Sequence, residues 1–546
     1  MRDPGARVRE PLVGRHAGTA RPGRRAVWIA AVLLPFAAGA ATSAPPRAAA
    51  SDHHREAYYY YSLAQGERLR RNYLQAARHL RHAVELDSKS AYLHLELARI
   101  LRTLRQNEDA LEEIRRALEV EPDHAESHRL AAEIHVALMD AGTDTQENLR
   151  LAIEHYEGAL KSQPELGDAG LSLGRLYFYR GDTDRALEVL QRYRAQNPDS
   201  AEALFWLAKV HLGREELDAA ESNVRQSLRI APDNYESLLT LSGIQEMREQ
   251  YEPATGTAER ALAVAQDSVE VRYALARLAL KRSDFARAAR EYQVLLSLLK
   301  QRRPWVSEAE LADLYLFTAR ARWFSDEARQ ALDVVREGKT EFPGDPRFRL
   351  LEGELLMATG REGEGEAVLE EVLNARDAAE DVREKVADAY FNQGATRERQ
   401  GKHAQAEHYL KRAIAIHPKH ATALNYLGYM LVETSDRYGE SLQYIERAVD
   451  LDPENGDYLD SLGWVQYKLN RLEEAEKRLR QALERTQENA VVFDHLGDVV
   501  LALGRPEEAA KCWESALERA KGLEHPDKVR EKLKEARKRA GSSSRP

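Results

Sequence analysis

Apolar residues recur along most of the chain at intervals of three and four positions, in paired stretches that are separated by a Gly or a polar turn. This interval is typical of amphipathic helices. The segments that close one pair and open the next are alike, as in LEVEPDHA, AQNPDSAE, RIAPDNYE and DLDPENGD. Pro198 precedes Pro232 by 34 residues, and Pro418 precedes Pro453 by 35. The pattern therefore predicts tandem pairs of helices with a period close to 34 residues.

The recurring proline has a physical reason. Proline lacks an amide donor and clashes with the preceding helical turn, so it ends the second helix of a pair. One pair alone leaves an apolar face uncovered, and neighbouring pairs bury that face by stacking. About 12 or 13 such pairs fit between residues 56 and 521.

The repeated units resemble tetratricopeptide repeats. Small residues, which allow close packing of two helices, alternate with large ones and a closing proline in the family's order. They are Leu173, Gly174, Tyr177, Gly181, Ala186 and Pro198 in unit 167–200, Tyr390, Gly394, Gly401, Ala406, Ala413 and Pro418 in unit 387–420, and Leu427, Gly428, Ala448 and Pro453 in unit 421–455. The resemblance implies an all-α fold, a right-handed superhelical solenoid of about 12–13 antiparallel helix pairs.

The repeat pattern also predicts the organisation of the chain. A first array spans 56–299 and a second spans 386–521, with an eight-residue insertion at 141–148 that should lengthen its helix pair. Between the arrays, 300–385 departs from the pattern and is expected to form irregular helical hairpins with a kink. Residues 522–546 should hold a capping helix, about 527–540, and a disordered tail.

The N-terminus predicts export. Arginines precede a 16-residue apolar run (26–41) and a small-residue site, as in a secretory signal over residues 1–40, which a disordered linker (41–55) follows. The run is short for a membrane span. We expect a soluble protein of the periplasm or cell envelope, or one anchored by this segment if it stays uncleaved. Membrane contact is expected only through that segment. Without residues 1–40, whose formal charge is +5, the net charge changes from −10 to −15.

We recognise no motif for catalysis or cofactor binding in the sequence. It lacks the spacings of zinc-binding HExxH, of phosphate loops and of the GxSxG nucleophile elbow. Its one cysteine, Cys512, is expected to be a small buried residue beside Trp513. The acidic balance argues against nucleic acid as the main partner. We therefore expect no enzyme, no metal site and no small-molecule cofactor.

The family resemblance implies that partners lie in a concave groove lined by the first helix of each pair. Transferred by repeat position, the candidate partner-binding residues are Tyr58, Tyr61, Arg99, Arg129, Arg175 and Tyr179 in the first array, and Asn425, Tyr429, Asp460, Trp464, Tyr467 and Asp494 in the second. Arginines are frequent among the candidates of the first array, and aspartates among those of the second. Two alternatives stay open: the aromatic residues pack against neighbouring helices, and the charge gradient is chance drift.

The sequence alone is compatible with three functions. The first is a non-catalytic scaffold that binds proteins or peptides during envelope assembly or trafficking. The second is a recognition arm of an envelope enzyme complex, for example in polysaccharide or glycan machinery. The third, an enzyme, could be hidden only in 300–385. Asn425 resembles the carboxylate clamp of chaperone-type members, but Asp460 and Asp494 would repel a carboxylate.

Overall fold

The computed structural model describes residues 52–301, 306–374, 380–486, 489–519, 523 and 525–543. Within these residues the chain forms 27 helices and no strand. Contacts divide the chain into two compact units, and the boundary falls inside a helix, after Leu311. The expected signal segment, most of the linker and residues 544–546 lie outside the described residues.

The N-terminal unit consists of seven helix pairs. They are α1 (Asp52–Leu69) with α2 (Tyr73–Leu86), α3 (Ala91–Thr103) with α4 (Asn107–Val120), α5 (Ala125–Asp140) with α6 (Thr145–Ser162), α7 (Ala169–Arg180) with α8 (Thr183–Gln196), α9 (Ala201–Gly213) with α10 (Leu217–Ile230), α11 (Tyr235–Met247) with α12 (Tyr251–Val264), and α13 (Val269–Lys281) with α14 (Phe285–Gln301).

The C-terminal unit continues the arrangement. Its helices are α15 (Glu308–Phe324), α16 (Ala328–Glu341), α17 (Pro346–Ala358), α18 (Glu362–Leu373), α19 (Glu380–Arg399), α20 (His403–Ile416), α21 (Ala421–Thr434), α22 (Tyr438–Leu451), α23 (Gly456–Lys468), α24 (Leu472–Arg485), α25 (Ala490–Ala502), α26 (Pro506–Glu518) and α27 (Pro526–Ser543). Short turns join the paired helices, which makes the partners antiparallel. The predicted all-α fold of about 12–13 pairs is confirmed, with α27 as an additional helix packed on α26. The handedness of the superhelix stays a prediction.

Glycines let the two helices of a pair approach closely. A Cβ added to Gly428 of α21 would lie 2.5 Å from Ile445 of α22, and one added to Gly463 of α23 would lie 2.7 Å from Leu479 of α24. Real Cβ atoms do not come this near to other atoms, so the neighbouring helix would have to shift. The small positions on which the family resemblance rests therefore have the packing role that the sequence predicts.

Two boundaries differ from expectation. The first helix begins at Asp52, so the last four residues of the expected linker are helical. The last helix runs to Ser543, three residues beyond the expected end of the cap. The insertion is accommodated as predicted, since α5 and α6 have 16 and 18 residues. Helices also fill the described part of 300–385, and the kink expected there stays a prediction.

Cys512 is buried next to Trp513, as the sequence predicts. In the part of the chain that the structure describes, every helix is too short or too polar to cross a lipid bilayer.

Candidate partner-binding surfaces

Successive odd-numbered helices lie side by side within each unit. Helix α3 contacts α5, α7 contacts α9 and α11 contacts α13, and in the other unit α17 contacts α19, α21 contacts α23 and α23 contacts α25. We define the N-terminal A surface as the solvent-facing side of the odd-numbered helices α1, α3, α5, α7, α9, α11 and α13. The same side of α17, α19, α21, α23 and α25 is the C-terminal A surface. All the predicted site residues belong to these helices.

Ion pairs connect neighbouring helices on the N-terminal A surface. Arg99 of α3 binds Glu96 of its own helix at 2.7 Å and Glu126 of α5 at 3.0 Å. Arg129 of α5 binds Glu126 at 2.7 Å and also pairs with Glu133. Burial raises the pKa of Glu126, but Arg129 and Arg99 outweigh it, and the net pKa is lowered. The two predicted arginines are therefore neutralised within the protein.

Arg175 and Tyr179 surround a buried tryptophan on the same surface. The Arg175 guanidinium lies 5.1 Å from the ring centre of Trp206, and its Nη1 lies 3.4 Å from Oε1 of Glu202. Tyr179 meets the Trp206 ring edge-on, with 5.6 Å between ring centres, and is still 55% exposed. Trp206 supports one side of the tyrosine and leaves the rest available for contact.

Tyrosines cluster at the first helices. Tyr58 is 68% exposed, and its ring centre lies 6.3 Å from that of Tyr61. The Tyr61 and Tyr92 hydroxyl oxygens are 2.6 Å apart, and Tyr92 is 49% exposed. Burial and the hydrogen bond with Tyr92 raise the pKa of Tyr61, which stays a neutral phenol. The cluster is an uncharged, amphipathic patch.

Trp464 on the C-terminal A surface is half-buried and contacts several other groups of the chain. Its Nε1 donates to Glu433 at 2.6 Å, and its ring stacks on His495, with 4.2 Å between ring centres. Tyr467 stacks on it at 5.2 Å, and the Lys468 ammonium lies 4.6 Å from the ring centre. The indole thus serves packing between α21, α23 and α25, which was the alternative left open by the sequence.

The aspartates of this surface also have partners within the chain. Buried Asp460 lies 2.8 Å from Nδ1 of His495. Burial lowers the pKa of His495, but Asp460 and the neighbouring aspartates outweigh it, and the net pKa is raised. Asp494 accepts from Trp513 Nε1 and from Lys532 of α27, both at 2.9 Å. The late aspartates are therefore interior ion-pair and hydrogen-bond partners.

The two remaining candidates lie on α21. Asn425 and Tyr429 are half-buried. Among the described residues, the side-chain oxygen of Asn425 is buried and has no hydrogen-bond partner. The structure thus places both on the helix that the sequence predicts.

Sequence reasoning missed the groups that complete these clusters. The missed residues are Tyr92, Glu96, Glu126, Glu133, Trp206, His495 and Lys532. Tyr92 could have been found, because it follows Tyr58 by one period of 34 residues. Glu133 follows Arg99 by the same 34 residues, but the period alone does not reveal which side chains of neighbouring helices pair with each other. Among the described residues, no group of three or more His, Cys, Asp or Glu could hold a metal ion.

Comparison with known proteins agrees with this architecture. Three family models, each described as a tetratricopeptide repeat, match residues 171–235, 391–456 and 433–490, residues 349–419, and residues 63–134. A TPR repeat-containing protein of Pseudomonas aeruginosa, PA4667, is 28% identical over 215 residues. That match covers 38% of this chain and 32% of the relative, so it spans about a third of the curated relative's length.

Solved structures of other proteins align with this chain at low sequence identity. A tetratricopeptide repeat protein from Parabacteroides merdae aligns with a TM-score of 0.35 at 17% identity, over 49% of this chain and 98% of that one. The TPR protein YrrB aligns at 0.32 and 22% identity, over 36% and 96%. The APC/C hetero-tetramer Cut9-Hcn1 aligns at 0.32 and 15% identity, over 89% and 97%. By its repeated helix pairs and the matching family models, the chain belongs to the tetratricopeptide repeat family.

Proposed function

We propose that this protein is a non-catalytic scaffold that binds protein or peptide partners on its N-terminal A surface. The observation that carries the proposal is the set of tyrosines that internal packing leaves exposed there: Tyr58, Tyr92 and Tyr179. Tyrosine offers a large apolar ring and a hydroxyl at low entropic cost, and it is enriched at protein interfaces. Membership of a repeat family of interaction modules supports the same reading.

The charges between the tyrosines favour a protein partner over nucleic acid. Arg99 and Arg129 are matched by glutamates of α3 and α5, so these two arginines are not available to neutralise phosphates. Paired charges at the border of an apolar patch contribute to orientation and specificity more than to affinity. An extended segment that crosses α1, α3 and α5 would meet tyrosines first and the ion pairs next.

The cellular role that we propose is assembly or trafficking of envelope proteins. It rests on the arginines and the apolar run at residues 21–41, which predict export. A soluble periplasmic scaffold would meet its partners in that compartment.

Affinity purification tests the binding surface. We compare the wild type with the double variant Tyr58→Ala/Tyr179→Ala, using envelope extracts. Loss of the recovered partners in the double variant is expected, because truncating an aromatic interface residue commonly costs more than about 1 kcal/mol of binding free energy.

The matched control is Leu74→Ala, which removes an exposed apolar side chain from α2, outside the A surface. Circular dichroism checks that all variants are equally folded. Unchanged recovery in the double variant would contradict the proposed surface. Recovery of one enzyme in stoichiometric amount would instead favour the recognition-arm function.

A further inference from the structure

Three histidines gather between α5 and α6, the pair that contains the insertion. Nδ1 of His128 lies 3.0 Å from Nδ1 of His155, and Nε2 of His128 lies 2.9 Å from the carbonyl oxygen of Pro122. The ring of His135 stacks nearly parallel on that of His155, with 5.7 Å between centres and 10° between planes. The proposed function uses none of these imidazoles.

The hydrogen bonds define where the protons are. A carbonyl oxygen only accepts, so Nε2 of His128 carries a proton that it donates to Pro122. The two facing Nδ1 atoms of His128 and His155 then share a single proton, one donating and the other accepting. A second proton would place two N–H groups head to head at 3.0 Å. The contact therefore exists only while at least one of the two rings is neutral.

His135 ties this cluster to the insertion. The side-chain Nδ2 of Asn148 donates to the carbonyl oxygens of Thr143 at 2.7 Å and Asp144 at 3.2 Å. The other side-chain atom, Oδ1, therefore accepts from Nδ1 of His135 at 2.8 Å. His135 and Asn148 are both buried. The turn at 141–144 is thus held to α5 through the same group of imidazoles.

We infer that His128, His135 and His155 form a proton-sensitive latch that holds α5 against α6 at neutral pH and releases the pair in acid. A glycine makes room for it, since a Cβ at Gly158 would lie 2.9 Å from the His128 ring. Among the described groups, His128 and His135 act on the charge of His155, and Glu147 of α6 interacts with His135. Helices α3, α4 and α7 also pack against this pair, and α3 brings Arg99 and Arg102 to it, which pair with Glu126 and Glu133 of α5.

The direction of the pH effect follows from the environment of His155. Burial, together with the charges of His128 and His135, lowers its pKa to about 4. In an opened pair the same histidine would titrate at about 6.5. Between pH values of about 4 and 6.5, His155 is protonated in the opened pair and neutral in the closed pair. Opening is therefore coupled to proton uptake and becomes more favourable as the pH falls. Because α5 also carries Arg129, release of the pair would reshape the N-terminal A surface.

Hydrogen exchange of the full-length protein tests the latch. For backbone amides of α5 and α6, the opening constant should rise between about five- and tenfold from pH 6 to pH 5 in the wild type. In His155→Gln, whose amide keeps a hydrogen bond without titrating, the rise should be less than about twofold. The local readout matters because His94 and His495, whose pKa values are raised, contribute to global stability with the opposite sign.

Two controls complete the test. His82→Gln alters an exposed histidine of α2 that bonds Glu85, and it should keep the wild-type response. Gly158→Ala should increase opening of α5 and α6 at pH 7, whereas Gly256→Ala on α12, where an added Cβ meets nothing within 4 Å, should not. A wild type without acid-dependent opening, or a His155→Gln variant with the full wild-type response, would overturn the latch.

Discussion

The turn between the two helices of a pair places one residue in the left-handed region in most repeats. At this turn the residues with positive φ are Arg71, Arg105, Gly142, Gly181, Glu215, Glu249, Ser283, Asp326, Gly360, Gly401, Asn470 and Gly504, and the α5–α6 turn adds Asp144. A residue with a side chain is strained there, whereas glycine is not. The sequence indicated a Gly or a polar turn at this slot. Where the residue is Arg or Glu, no local signal in the sequence predicts the left-handed backbone.

Replacement of Glu249 by glycine should therefore stabilise the protein. Its φ is 59°. Glycine relieves the backbone strain but also increases the conformational entropy of the unfolded chain. The net effect should be an increase of about 0.5–1 kcal/mol in the free energy of unfolding. Denaturant unfolding measures it. The reverse change at Gly504, to alanine, should lower stability, and a loss of stability in Glu249→Gly would contradict this explanation of the turn.

The buried pair of Asp460 and His495 predicts a second, pH-dependent effect. Because the net pKa of His495 is raised, its contribution to stability is complete below about pH 6.5 and is lost as the pH rises through the folded-state pKa. Asp460→Asn should cost about 1–3 kcal/mol at pH 6 and less at pH 9. Denaturant unfolding at the two pH values measures the difference.

Asp457→Asn is the matched control for this pair, since it changes an exposed aspartate of the same helix. It should alter stability by less than about 0.5 kcal/mol. An equal cost for Asp460→Asn at both pH values would mean that the charge of His495 is not involved.

At the scale of helices, the sequence predicts the pairs well because each carries its own pattern of apolar and small residues. The periodicity predicts a cap helix with an apolar face over the last repeat, but it could not predict the ion pairs that α27 makes there. Lys532 of this helix places its ammonium against Asp494 and Asp498 of α25, and Val529 and Ala536 are buried. A terminal repeat needs such a cover for its apolar face.

Loss of the Lys532 ammonium should weaken this end of the array. Lys532→Met leaves two half-buried aspartates facing each other without their cation, at a cost of about 1–3 kcal/mol. Lys534→Met, an exposed position on the same helix, is the control. Hydrogen exchange of α25 and α26 measures the effect, and equal exchange in the two variants would show that the ion pairs do not hold the cap.

On the scale of the whole molecule, the fold was largely predictable from the sequence, and the surroundings of the candidate residues only partly so. Repeated residues such as Gly428 report packing that every pair shares. The environment of Trp464 depends instead on His495 and Glu433, which come from the helices on either side. Periodicity therefore placed the candidate at its repeat position but could not tell an exposed aromatic residue from one that the neighbouring repeats partly cover.

Site-specific photocrosslinking in cells tests the interaction surface most directly. A photoreactive residue replaces Tyr58, Tyr92 or Tyr179 on the N-terminal A surface, and Glu188, an exposed residue of α8, serves as the control. We predict adducts with the same protein partners from the three tyrosine positions and none from position 188. Strong adducts at position 188, or none from the three tyrosine positions, would contradict binding on this surface.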